Sequence, residues 1–239
     1  MNNESIYTRT EMMLGSEALE RLRRSRVIVF GVGGVGGHAV EALVRAGVGA
    51  VALVDPDRVG VTNLNRQLIA TERTVGRLKV EAMRERIAEI NPRCQVECYP
   101  VFYGEDNAEL VPLEGYDYII DAIDSVASKV FLIARASELS VPIISSMGAG
   151  NKLDPTRFRV GDIFSTSHDP LAKAVRTRLR PLGIRRLKVV WSDEEPVGER
   201  ERGAPGSISF VPGVAGMILG GEVVKDIAFG SSKTGTCEN

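Results

Sequence analysis

Between residues 31 and 36 the chain runs Gly31-Val-Gly33-Gly34-Val-Gly36. A glycine-rich turn between a strand and a helix lets backbone N–H groups approach a phosphate at the positive end of the helix. Asp55 follows 19 residues after Gly36, where an acidic side chain accepts a hydrogen bond from a ribose hydroxyl. Taken alone, these two features fit NAD, FAD or ATP. The loop beyond Asp55 narrows the choice, because it carries Asp57, Asn63, Arg66 and Gln67, and Lys79 comes after it. The helix end already cradles the pyrophosphate of a dinucleotide, so Arg66 and Lys79 are surplus there. A triphosphate attacked at its α-phosphate sheds pyrophosphate, and that growing charge needs cations placed in advance. Farther on, Asp121-Ala-Ile-Asp124-Ser125 sets a carboxylate, Asp124, where it can hold Mg²⁺.

These residues need a scaffold, and the first half of the chain supplies the pattern of one. Val27–Phe30, Val51–Val54, Gln95–Val101, Tyr118–Asp121 and Val141–Ser145 read as short strands, and their alternation with helical periodicity predicts a parallel sheet. Between them Val40, Leu43 and Val44 share one helical face, as do Val80, Met83, Ile87 and Ile90, and then Val126, Val130 and Ile133. The expected class is α/β, a Rossmann-like and mostly parallel sheet with helices on both faces. An N-terminal arm and the nucleotide-binding region fill 1–150, and a C-terminal extension of the same continuous domain fills 151–239. In the extension, Phe158–Asp162 and Lys188–Trp191 are candidate strands, and Asp169-Pro170 is an N-cap with proline at the first helical position. Residues 193–207 predict a surface loop. A last helix over Val214–Phe229 carries Gly216 and Gly220 at close-packing spacing.

Composition removes several function classes. A formal net charge of −1 rules out nucleic-acid binding by overall charge, so any such contact needs a local patch. Cys94, Cys98 and Cys237 are the 3 cysteines; with no C-x-x-C pair they make neither a disulfide framework nor a thiolate zinc knuckle. With no basic-then-apolar leader at the start, they point to a reducing, cytoplasmic setting. No apolar run is long enough to span a membrane, because Glu222, Lys225 and Asp226 interrupt the best candidate. Only 2 histidines, His38 and His168, are present, which leaves little for a histidine-dependent hydrolase.

The run G-x-G-G-x-G, then V-D-x-D-x-V-x-x-x-N-L-x-R-Q, a lysine and D-A-x-D-S resembles the adenylyltransferase superfamily related to ubiquitin-activating enzyme. The resemblance implies an ATP-dependent ligase that forms a carboxyl-adenylate. It implies that Asp55 binds ribose, that Asn63, Arg66, Gln67 and Lys79 contact the phosphates, with Asp57 in the same loop, and that Asp124 sits at the Mg²⁺. It further implies a homodimer in which Arg9 reaches the neighbouring triphosphate. Sulfur-carrier activators of this superfamily carry two C-x-x-C pairs, absent here, and ubiquitin-type activators use a mid-chain cysteine, whereas none lies between Cys98 and Cys237.

The second half, with Ser145-Ser-Met-Gly-Ala-Gly-Asn-Lys-Leu-Asp-Pro-Thr-Arg157, Asp169-Pro170 and Ser209-Phe-Val-Pro212, is similar to the tRNA threonylcarbamoyladenosine dehydratase family. What this implies is cyclisation of that modified adenosine in tRNA, needing no enzyme nucleophile, with a monovalent cation and a sulfur-relay protein as further candidate ligand and partner. The alternative is activation of the C-terminal carboxylate of a ubiquitin-like sulfur carrier. A tRNA substrate calls for phosphate contacts. Lys173, Arg176, Arg178, Arg180, Arg185, Arg186 and Lys188 occur between Leu171 and Lys188 without an acidic residue, and Lys173, Arg176 and Arg180 are expected on one helical face.

Overall fold

A computed structural model of the chain describes residues 5–197 and 205–230; Cys237 and part of the 193–207 loop lie outside the described residues. Seven strands form one sheet in the order β3-β2-β1-β4-β5-β7-β6. They are β1 (Arg26–Phe30), β2 (Ala50–Val54), β3 (Gln95–Tyr99), β4 (Tyr118–Asp121), β5 (Ile143–Ser146), β6 (Phe158–Asp162) and β7 (Lys188–Ser192). All pairs are parallel except β6 on β7. The expected α/β class is the one found, and 151–239 contributes two of the strands.

The helices are α1 (Thr8–Leu14), α2 (Ser16–Arg24), α3 (Gly36–Ala46), α4 (Lys79–Ile90), α5 (Val126–Glu138), α6 (Pro170–Leu179) and α7 (Phe210–Phe229). Alternate residues of β1 serve opposite layers, as a strand's period of two dictates. Val27 and Val29 pack with Val40, Leu43 and Leu219 of α3 and α7. Ile28 and Phe30 pack with Leu132 and Ala136 of α5. A third cluster joins α5, α6 and β7 through Ile133, Val175, Leu179 and Trp191.

Local chemistry moves some boundaries from their expected places. The third strand stops at Tyr99 because Pro100 has no N–H to give a ladder. The last helix begins at Phe210 rather than Val214, since Pro212 in its first turn has no intrahelical bond to lose. Residues 8–24 form two helices where an arm was expected. α2 buries Ala18, Leu19 and Leu22, and Arg21 donates twice to the Ala228 carbonyl. Gly216 and Gly220 do let α7 close on α3. A Cβ at Gly220 would lie 2.7 Å from the Ala39 oxygen, and one at Gly216 would overlap the Val35 oxygen.

Candidate active site

The sheet order reverses direction between β1 and β4, and a cleft of about 370 Å³ opens at the carboxyl ends of these strands. Such a switch point is where open α/β sheets bind ligands. Gly31 follows β1 at φ +87°, and a Cβ there would come within 2.5 Å of the Ala122 oxygen beyond β4. A Cβ at Gly36 would overlap the Gly31 carbonyl. These two glycines permit the turn itself. Gly33 faces more open space, its nearest neighbour being the Gln67 amide at 3.7 Å, so a phosphate can approach its backbone.

Asp55 directly follows β2 and is almost fully buried against this turn. Its Oδ2 accepts from the Val32 N–H at 2.6 Å and its Oδ1 from the Asp57 N–H at 2.9 Å. Burial pushes its carboxyl above the ordinary value, opposed by Lys79 and by the two backbone donors. Lys79 opens α4 and is buried too; its Nζ lies 2.7 Å from Asp57 Oδ2 and 3.8 Å from Asp55 Oδ1. Arg66 bends onto its own loop, donating to the Thr62 carbonyl and the Asn65 side chain. Gln67 is buried with an Oε1 that meets no donor among the described residues, leaving an acceptor for an occupant of the cleft.

Gly31, Gly33, Gly34, Asp55, Asp57, Arg66, Gln67, Lys79 and Asp124 all line this one cleft. Asn63 and Gly36 do not line it. The Asn63 side chain accepts from the Gly60 N–H and its carbonyl from the Arg66 and Gln67 N–H groups, so it shapes the cleft-facing loop from behind. Asp124 is exposed within the cleft. The N-cap of α5 is Ser125, accepting from the Ser128 N–H, which leaves the Asp124 carboxylate free for a ligand. Among the described residues no three His, Cys, Asp or Glu side chains converge on a metal position. A single carboxylate completed by phosphate oxygens and water is a fitting donor set for Mg²⁺.

Sequence reasoning missed other parts of the wall. Phe102 and Tyr103 enter from the segment after β3, and Ser146 and Met147 from the end of β5. The strand-end rule could have found the second pair; nothing in the sequence flags an aromatic in a loop. Pro205, Ser207 and Pro212 close the side nearest α7. His38 bonds the Gly34 carbonyl through Nδ1 and packs under Gly213, a structural role.

The remaining candidates lie away from the cleft. Arg9 is exposed on α1. The expected seven-cation surface is divided. Lys173, Arg178, Arg180, Arg185 and Arg186 are exposed, with Arg180 over the Phe164 ring. Two others turn inward. Arg176 donates to the Ile163 and Thr166 carbonyls and the Thr166 hydroxyl, because α6 presses it against the turn before the helix. Lys188 lies on β7, where Glu222 and Asp226 of α7 hold its ammonium at 2.9 and 2.8 Å.

The ThiF family model matches residues 7–235. A tRNA threonylcarbamoyladenosine dehydratase of Bacillus subtilis is 47% identical over 238 residues, covering 92% of this chain and 94% of that protein. Another from Escherichia coli is 44% identical over 171 residues, which are 72% of this chain and 64% of that protein. The crystal structure of E. coli tRNA N6-threonylcarbamoyladenosine dehydratase in complex with ATP superposes with a TM-score of 0.88 at 36% identity, covering 96% of each chain.

Proposed function

This chain belongs to the ThiF family, among its tRNA threonylcarbamoyladenosine dehydratases, and on that premise we propose how its cleft does the reaction. ATP lies with its phosphates on the Gly31–Gly36 turn and its ribose on Asp55. The threonyl carboxylate of N6-threonylcarbamoyladenosine attacks the α-phosphorus, and pyrophosphate departs between Arg66 and Lys79. The carbamoyl nitrogen then attacks the activated carbonyl, loses its proton and expels AMP, closing the ring with net loss of water. Both reacting groups sit on one substrate, so closure gains up to ~7–11 kcal/mol from proximity and needs no enzyme nucleophile. Asp124 would hold Mg²⁺, which when bound neutralises phosphate charge.

The observation that carries this reading is the convergence of Lys79, Arg66 and the glycine turn on one cleft at the switch point. The exposed cations Lys173, Arg178, Arg180, Arg185 and Arg186 are assigned to tRNA phosphates. Arg9, outside its own chain's cleft, is assigned to the site of a second copy. Met12 and Met13, 80% and 86% exposed on the same helix, are apolar surface suited to that contact. A cytoplasmic setting, a monovalent cation and a sulfur-relay partner complete the proposal. No helix among the described residues is long and apolar enough to cross a membrane.

The test is incubation of the protein with ATP, Mg²⁺ and threonylcarbamoyl-modified tRNA, followed by mass spectrometry of the nucleosides. The modified adenosine should lose one water as pyrophosphate appears. Equal pyrophosphate release with unmodified tRNA would overturn the assignment.

A further inference from the structure

Beneath the cleft lies a second charged cluster that the reaction just described does not use. Lys129, Asp121 and Ser145 are each 0% exposed. Lys129 Nζ donates to Asp121 Oδ2 at 2.8 Å and to the Ser146 carbonyl at 3.0 Å. Ser145 Oγ donates to the same carboxylate oxygen at 2.5 Å, and the other oxygen accepts from the Ile123 N–H at 3.0 Å. The cluster therefore joins the end of β4, the first turns of α5 and the end of β5.

We propose that Lys129 is a positioning residue for the dehydratase reaction, acting through Asp121 and Ser146 to hold the two cleft walls that carry Asp124 and Ser146 in register. The proposal rests on the dehydratase reading. A buried ion pair is a poor device for stability, since apolar residues of similar volume do as well or better. It does fix geometry, because neither charge can leave its partner without entering an apolar medium unpaired. Here one ammonium grips both walls at once. Through Asp121 it reaches the Ile123 N–H, one residue before Asp124, and directly it holds the carbonyl of Ser146. Both Asp124 and Ser146 line the cleft. If the walls shift by about 1 Å, the rate is expected to fall about a hundredfold, because misplaced groups lose their advantage in the transition state.

Removing Lys129 alone leaves Asp121 buried and unpaired, so that variant can fail by unfolding. The deciding protein is the full chain carrying both Lys129→Met and Asp121→Asn, which removes both charges together and keeps an acceptor for the Ile123 N–H. Three quantities are compared with wild type: the melting temperature, the equilibrium affinity for ATP, and kcat against KM for pyrophosphate release with modified tRNA. The double variant should melt within a few degrees of wild type, bind ATP within about threefold, and lose about a hundredfold in kcat. Ser145→Ala, which takes one donor from the cluster, should lose kcat by a smaller factor in the same direction. A double variant whose kcat stays within about threefold of wild type would sink the positioning role. So would one that loses fold and activity together, since structure alone would then account for both. An inactive wild type signals instead that the dehydratase reading has failed.

Discussion

Lys79 and Lys129 are both buried, and each is bonded to an aspartate near the carboxyl end of a parallel strand, yet their surroundings differ in kind. The principal partner of Lys79, Asp57, has a side chain 63% exposed. The partner of Lys129 has no exposure at all. Exchanging a wet carboxylate for a phosphate costs an ammonium little, because the released Asp57 returns to water. Exchanging a sealed one strands a charge in the interior. The first lysine is therefore available to a ligand and the second is committed to the frame. The wetness of the partner, more than the burial of the lysine, tells the two apart.

Lys79→Ala tests the difference between the two lysines directly. Pyrophosphate release should fall about a thousandfold, roughly 4 kcal/mol of transition-state stabilisation, as expected for a preorganised cation. Its melting temperature should fall by less than that of Lys129→Ala, because Asp57 is exposed and contributes about 0–1 kcal/mol, while buried Asp55, 3.8 Å from Lys79, keeps its two backbone donors. Lys129→Ala should do more to the fold. Breaking a sealed pair costs about 3–5 kcal/mol, lowering the melting temperature by roughly 10 °C. Thermal unfolding of the two variants side by side measures both shifts, and a larger one for Lys79→Ala would erase the distinction.

The two lysines also show where the sequence was legible. Lys79 stood out because it follows a loop already marked by Asp55 and Arg66, and because with Arg66 it supplies the positive charge that a departing pyrophosphate needs. Lys129 sits among the apolar positions of α5, and no local pattern says that its neighbour in space is Asp121 or the Ser146 carbonyl. Every strand of the sheet was anticipated, although β3 and β6 mix polar with apolar residues, and Gly216 and Gly220 announced a close helix contact without naming α3 as the partner. What stayed hidden depends on contacts between distant segments: the helices of residues 8–24, the Phe102 wall, and the inward turn of Arg176 and Lys188. Boundaries shifted where proline intervened, at Pro100 and Pro212, as single residues overruled the wider pattern.

Asp55 sits between the glycine turn and Lys79. Its folded pKa is raised by burial against the lowering effect of Lys79. A raised carboxyl stabilises the fold at pH below its unfolded value, and that contribution is lost as pH rises through the folded value. On the proposed reading, ribose binding at Asp55 runs the other way, since it needs the ionised acceptor. ATP affinity should thus fall on acidification, beginning above the ordinary carboxylate range. In Lys79→Ala, with the opposing cation gone, this acid limb should move to higher pH. Titration of ATP affinity against pH for both proteins measures the displacement. An unmoved limb would mean that Lys79 does not act on Asp55.

The smallest expected effect carries the same distinction to the basic segment. Arg178 and Arg185 are exposed, whereas Lys188 is held by Glu222 and Asp226. If exposure marks availability, Arg178→Ala and Arg185→Ala should each raise KM for tRNA a fewfold. Each should also reduce the slope of log KM against log salt by about one, the signature of one lost phosphate contact. Lys188→Ala should leave that slope alone and lower the melting temperature instead, because it leaves two carboxylates facing each other beside the Tyr118 hydroxyl that donates to Asp226. A changed salt slope in Lys188→Ala would mean that an internally paired cation can still serve a polyanion. Lys129 and Lys79 could then no longer be told apart by the wetness of their partners.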